Sequence, residues 1–204
     1  MKKNYAALAV GAAIVVLVAT GLIMYFLEQR RAAQQASQML LAARTPKQWE
    51  ELLAQYPGVP VAPIALLALA ASQYNAGAYD QALASYTTFQ EKYPKHLMVL
   101  AAELGKIQCQ EGRGEIEAAF DGYSQFVSVH RDHFLAPQAL FGQARCLQRL
   151  RRYREAKAIY EDFIVSHPKS EWVSQAEFSL RILEREIRAQ SAQIVATNAP
   201  AARP

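Results

Sequence analysis

QALASYTTFQEKYP, residues 81–94, returns 37 positions later as AAFDGYSQFVSVHR, residues 118–131, and again as EAKAIYEDFIVSHP, residues 155–168. The match runs in four columns: Ala82, Ala119 and Ala156; Tyr86, Tyr123 and Tyr160; Phe89, Phe126 and Phe163; and Tyr93, His130 and His167. A fixed period of roughly 20–50 residues is the signature of a repeat architecture, in which each unit is one supersecondary element that buries its apolar face by stacking on its neighbours. The fold has to be read from the repeat.

Ala82, Tyr86, Phe89 and Tyr93 stand at i, i+4, i+7 and i+11, so they share one face of a helix, and the polar residues between them, Ser85, Thr87, Gln90 and Glu91, are expected on the opposite face. Upstream in each copy runs a stripe of small residues: Ala65, Ala68 and Ser72; Ala102, Gly105 and Cys109; Ala139, Gly142 and Cys146. Small side chains at i, i+3 and i+7 let two helix backbones approach, and the Tyr and Phe of a partner helix fill the groove. Each copy therefore reads as a helical hairpin. Gly77 and Gly114 fall at its turn, where a left-handed residue ends the first helix; the third copy has Arg151 there. Pro57, Pro94 and Pro168 stop the second helix, since proline lacks an amide donor and disfavours helix at the residue before it. Shifting the columns back once more gives a degenerate copy with Thr45, Trp49, Leu52 and Tyr56-Pro57, in which Thr45-Pro46 is a good helix start. Beyond the last copy, Ser170 caps an expected helix with Trp172, Ala176, Leu180, Leu183 and Ile187 on one face.

These columns resemble the tetratricopeptide repeat. Its second-helix pattern of alanine, aromatic, aromatic and proline is met by Ala156, Tyr160, Phe163 and Pro168, by Ala82, Tyr86, Phe89 and Pro94, and by Ala119, Tyr123 and Phe126. The chain departs from the pattern in its 37-residue period, in Leu66, Glu103 and Leu140 where the family has tryptophan, and in Ile107 where its neighbours have Ala70 and Ala144. The expected architecture is all-α: a transmembrane helix over 1–27, then an α-solenoid over 28–188 with units at 28–57, 61–94, 98–131 and 134–168 and a capping helix at 171–188. Residues 189–204, rich in Ala, Gln and Pro, are expected to be a disordered tail.

Tyr5 to Leu27 holds no charged residue over 23 positions. As a helix rising about 1.5 Å per residue it spans a hydrocarbon core of about 30 Å. The apolar run is longer than the roughly 7–15 residues of a cleaved signal, which predicts an uncleaved, single-pass anchor through residues 5–27. Lys2 and Lys3 before it nearly balance Arg30, Arg31 and Arg44 after it; the short flank favours an inner-membrane protein whose repeats lie in the periplasm. The remaining body carries 20 basic and 18 acidic residues, with no aromatic-interleaved basic surface, so no nucleic-acid partner is implied.

Cys109 and Cys146 occupy equivalent places in adjacent repeats, about 9–10 Å apart by helix packing, beyond the roughly 7 Å that a disulfide tolerates. They read as buried thiols. His130 and His133 are explained by the columns, since His130 aligns with His167 and His133 with His96; no set of metal ligands and no cofactor is implied. No phosphate loop, nucleophile elbow or HExxH motif is present, so the chain is not expected to be an enzyme.

The resemblance implies a concave wall built from first helices, and residue by residue this places Leu67, Tyr74 and Asn75, then Leu104, Gln108 and Glu111, then Phe141, Arg145, Gln148 and Arg149 on it. Such a wall grades from apolar to basic and suits an extended peptide or helix with an acidic group. The carboxylate clamp of some relatives is absent, with Leu67 and Ala71 at its positions. A second basic cluster, Arg149, Arg151, Arg152 and Arg154, lies at the turn of the third copy. An anchor followed by such repeats is similar to the ancillary subunit of the bacterial Sec translocon. This implies an adaptor for translocon subunits or exported proteins in the cell envelope; the alternative is a scaffold of outer-membrane assembly or division, of the Tol-Pal or assembly-factor kind.

Overall fold

The computed structural model describes the backbone of residues 2–198, which holds nine helices and no strand among the described residues. The chain divides into two units with the boundary after Tyr93. The first contains α1 (Lys2–Ala42), α2 (Pro46–Gln55), α3 (Ala62–Asn75) and α4 (Tyr79–Lys92); the second contains α5 (Val99–Arg113), α6 (Ile116–Val129), α7 (Ala136–Arg149), α8 (Tyr153–Ser166) and α9 (Val173–Asn198). In the first, α1 packs on α2, α2 on α3 and α3 on α4; in the second, α5 packs on α6, α6 on α7, α7 on α8 and α8 on α9.

The period is visible in the helix starts. α4, α6 and α8 begin at Tyr79, Ile116 and Tyr153, and α3, α5 and α7 at Ala62, Val99 and Ala136. α9 begins at Val173, again 37 residues after Ala136, so it is a first helix in register. It keeps the small-residue column: Ala176, like Ala65, Ala102 and Ala139, is fully buried. α9 also runs past the expected cap to Asn198, so residues 189–198 are helical where composition had suggested a disordered tail. Ala, Gln and Ser there are adequate helix formers and extend a helix that is already nucleated. Residues 199–204 lie outside the described residues.

Each hairpin turn closes by the same pair of backbone bonds. The amides of Ala78, Glu115 and Arg152 reach back five residues to the carbonyls of Gln73, Gln110 and Leu147 at 2.9, 3.0 and 2.8 Å. This Schellman closure needs a left-handed residue just before, supplied by Gly77 (φ 75°), Gly114 (φ 85°) and Arg151 (φ 59°). The longer period is taken up by the linkers, which advance in three-residue steps. His133 N donates to His130 O at 3.0 Å and Ala136 N to His133 O at 2.8 Å, and the same two steps follow His167 through Ser170 to Val173. Side chains brace them: the amides of Met98 and Leu135 donate to Nδ1 of His96 and His133, and that of Trp172 to Oγ of Ser170. His96 and His133, aligned in sequence, are therefore linker caps.

The core of the second unit follows the columns. Ala119, Tyr123 and Phe126 pack with Leu104, Ile107, Ala139 and Cys146; Ala156, Tyr160 and Phe163 pack with Phe141, Ala144, Leu147, Ala176 and Leu183. The second helix of one hairpin thus fills the small-residue stripe of the next first helix. A Cβ placed on Gly142 would sit 2.4 Å from Cζ of Tyr123, so only glycine admits that ring. Ile107, anomalous in the family pattern, is buried because the facing residue of α6 is Gly122, where an added Cβ would come within 3.1 Å of Ile107 Cγ1.

The degenerate copy departs from the expected outline. α1 continues unbroken through residue 27 to Ala42, and α2 starts four residues later than the register predicts, with Thr45 as its cap rather than in its alanine column. Pro46 at the first helical position and Gln48, whose Oε1 accepts from Thr45 N at 3.1 Å, fix that start. The C-terminal half of α1 packs on α2, burying Ala36 and Leu52, and Tyr56 donates to Gln35 Oε1 at 3.0 Å. Among the described residues ahead of that contact, Ile14 to Val18 and Leu22 to Leu27 are exposed.

Candidate functional site

The expected wall residues fall into three groups. Leu104 and Phe141 are each 2% exposed and belong to the core. Phe141 meets Phe163 edge-on at 5.1 Å and lies 6.0 Å from Trp172. Neither can touch a partner while the hairpins are packed, which removes the main apolar anchors that the resemblance had put on the second unit's wall. In the first unit, Leu67 and Tyr74 are half-buried, with Tyr74 edge-on to Tyr79 at 5.4 Å, and Asn75 is exposed. Ile64, not assigned to the wall's binding set, is 51% exposed on the same helix.

The third group forms a polar network in the second unit. Glu111, near the end of α5, is buried, and its carboxylate accepts from Arg145 Nε at 3.0 Å, Arg145 Nη2 at 2.8 Å and the Tyr123 hydroxyl at 2.7 Å. Its backbone carbonyl accepts from Arg149 Nη1 at 2.8 Å. The fork-on-carboxylate geometry is the strong form of an ion pair, and it supplies the compensation that a buried carboxylate requires. Burial alone would draw the Arg145 pKa down, but the hydrogen bonds and charge of Glu111 outweigh it and hold it above its usual value. Burial, then the Glu111 charge and hydrogen bond, push the Tyr123 phenol up, so it stays a donor.

The sequence-based expectation that Arg145 stands ready for a partner's carboxylate is therefore corrected: its guanidinium already holds Glu111. Charge reversal at Arg145 would set two carboxylates together, and could not report on partner binding alone. Arg149 keeps its exposed guanidinium edge, and half-buried Gln108 and Gln148 present amides on α5 and α7. Sequence reasoning placed Glu111 and Arg145 on one wall but missed that they pair, and missed Tyr123 as a third member. The available signal was a carboxylate and a guanidinium 34 residues apart, one period less one helical turn, on successive first helices.

The second basic cluster is only partly uncommitted. Arg152 holds Glu155 at 2.7 and 2.6 Å and lies 5.4 Å over the Phe120 ring. Cys109 and Cys146 are free thiols, both buried, and burial pushes them up to about 11 and about 12, so they remain protonated and inert. Among the described residues no group of three or more His, Cys, Asp or Glu could hold a metal ion.

Residues 64–96 and 138–170 each match the tetratricopeptide repeat family. The copy between them, with Ile107 and without the closing proline, is not matched, although it forms the same hairpin. Among solved structures, a tetratricopeptide repeat protein from Parabacteroides merdae shares 16% identity at TM-score 0.53, covering 78% of this chain and 60% of that one. The chain thus spans about 60% of that protein's length. A Podosopora anserina kinesin light chain with nearly identical TPR-like repeats shares 17% identity at TM-score 0.50, covering 84% and 93%. No curated protein matches. The chain is an all-helical protein built from tetratricopeptide-type hairpins, an architecture characteristically used for protein interaction rather than catalysis. Among the described residues one helix segment, Ala13–Ala42, is long and apolar enough to cross a membrane.

Proposed function

We propose that the chain is a membrane-anchored, non-catalytic adaptor that presents stacked helical hairpins to protein or peptide partners in the cell envelope. The observation that carries this reading is the pairing of two features in one molecule. Two of the hairpins match a protein-interaction repeat, and α1 exposes the apolar side chains of Ile14 to Val18 and Leu22 to Leu27, which no described residue covers. Water-exposed apolar side chains over that length favour transfer to hydrocarbon, at about 25 cal/mol per Å² of surface removed from water. In this reading residues 5–27 span the bacterial inner membrane and the hairpins work on its periplasmic side. In this reading each unit offers its own partner-binding residues: Leu67, Tyr74 and Asn75 in the first, and Gln108, Gln148 and Arg149 in the second, where Glu111 and Arg145 support the Arg149 region.

The finer proposal is an accessory role beside the secretion channel, handing exported proteins to folding factors. Crosslinking the membrane-inserted protein in cells and identifying partners by mass spectrometry tests it, with the anchor alone as control. Translocon subunits and exported chains are expected. Enrichment of outer-membrane assembly or division proteins would replace the secretion role with that of an envelope scaffold, and partners identical to those of the anchor alone would remove the hairpins from binding altogether.

A further inference from the structure

The linkers of the second unit carry a feature that neither the core nor the proposed wall uses. Two of them set a cation two or three residues ahead of a large apolar residue, Lys95 before Leu97 and Arg131 before Phe134; the third carries Lys169, with Glu171 at the equivalent apolar place. Leu97 is 82% and Phe134 68% exposed, and they are equivalent residues one period apart. Val129 and Val165, at the ends of the helices that lead into two of these linkers, are exposed as well. Isolated exposed apolar residues are ordinary, but repetition at one place in successive repeats makes a patterned edge. The linkers also hold these side chains outward on a braced backbone, because His96 and His133 accept the amides one residue beyond Leu97 and Phe134.

We propose that this linker edge rests on a bilayer surface, with Leu97 and Phe134 at the headgroup boundary and Lys95, Arg131 and Lys169 on lipid phosphates. Cations interleaved with aromatic and leucine side chains are what the boundary between headgroups and acyl chains accommodates. Asp132 and Glu171 share the edge and offset two of the three cations, so apolar insertion supplies most of the attraction and lipid charge a smaller part. A cleft of about 530 Å³ bounded by Phe134, Trp172, Arg131 and Ser170 gives room for a headgroup. The inference rests on the anchored reading above, since a chain tethered to the bilayer needs only weak additional contact to hold an edge against it.

The test uses the full chain in nanodiscs of phosphatidylcholine with and without phosphatidylglycerol. A nitroxide is placed on Phe134→Cys or, at the opposite end of α6, on Glu117→Cys; the native thiols are buried and will not label. At position 134, collision with oxygen is expected to exceed collision with a water-soluble nickel chelate several-fold, more so with phosphatidylglycerol, and Leu97→Glu is expected to reverse much of it. Position 117 should remain accessible to the chelate. Equal chelate access at both positions would overturn the proposal, as would access at 134 that is lost only when soluble envelope proteins are added, which would make the edge a protein contact. Partner crosslinking on the same discs reads the adaptor role separately, so either can fail alone.

Discussion

The hairpins α5–α6 and α7–α8 have the same outline and solve their closest helix crossing in opposite ways. In the first, the bulk comes from the first helix, as Ile107, and Gly122 makes room; in the second, the bulk comes from Ile159 of the second helix, against a core that includes Ala144 at the place of Ile107. The repeat constrains the volume at the crossing, and either helix can supply it. The polar pairs differ similarly. In the first unit Ser85 donates to Gln73 Oε1 at 2.7 Å, a neutral bond across one hairpin, whereas Tyr123 donates to a Glu111 carboxylate that also binds the next first helix. The charged version ties two hairpins together, where the neutral one closes a single hairpin.

The comparison breaks most severely at Ile107. Ile107→Ala should cost about 3–4 kcal/mol in urea unfolding, since nothing else can fill the space opposite Gly122. Adding Gly122→Ile copies the sizes of the neighbouring hairpin and should recover part of the loss; a double variant no more stable than Ile107→Ala would show that volume alone does not govern the crossing. Gly142→Ala comes next, at about 2–3 kcal/mol, because the new methyl meets the Tyr123 ring rather than the tip of a flexible chain. As the control, Gly58, with nothing within 4 Å of an added Cβ, should tolerate alanine with little change in melting temperature.

Arg145→Ala should cost about 2 kcal/mol, less than for a fully buried pair because the Arg145 side chain is 43% exposed. Arg149→Ala should cost under about 1 kcal/mol yet reduce partner capture in the crosslinking assay; the reverse ranking would mean that Arg145 is the recognition group after all. The smallest change has the opposite sign. Arg151→Gly should stabilise by about 1 kcal/mol, since the left-handed backbone that Gly77 and Gly114 adopt freely is strained for a side chain. A loss of stability there would mean that the Arg151 side chain contributes more than its backbone costs.

The helical hairpin, its turn and its core faces were readable from four columns because each is a local consequence of spacing. Alanine and aromatics at i, i+4 and i+7 can share a face only on a helix, and the left-handed turn announces itself as glycine at Gly77 and Gly114. The start of α2 was legible as well: column alignment alone would give Thr45 a core position, but Thr45-Pro46 obeys the stronger local rule for a helix start, and α2 begins there. The helical 189–198 segment was missed because composition lacks an apolar face there, yet an established helix extends through residues that could not start one.

The candidate site was less legible. Family register put Leu104 and Phe141 on a wall, but register says which helix a residue is on and only roughly which way it faces; packing against Phe163, Tyr160 and Trp172 buried Phe141. By itself the sequence determined that the chain is a helical repeat with a span-length apolar segment, since periodicity and an uninterrupted run without charge are properties of neighbours in sequence. Only the tertiary structure decided that Arg145 belongs to Glu111, that Ile107 belongs to Gly122 and that Leu97 and Phe134 stay outside the core. Those are pairings across helices, set by the distance of closest approach and by which polar groups lose water together.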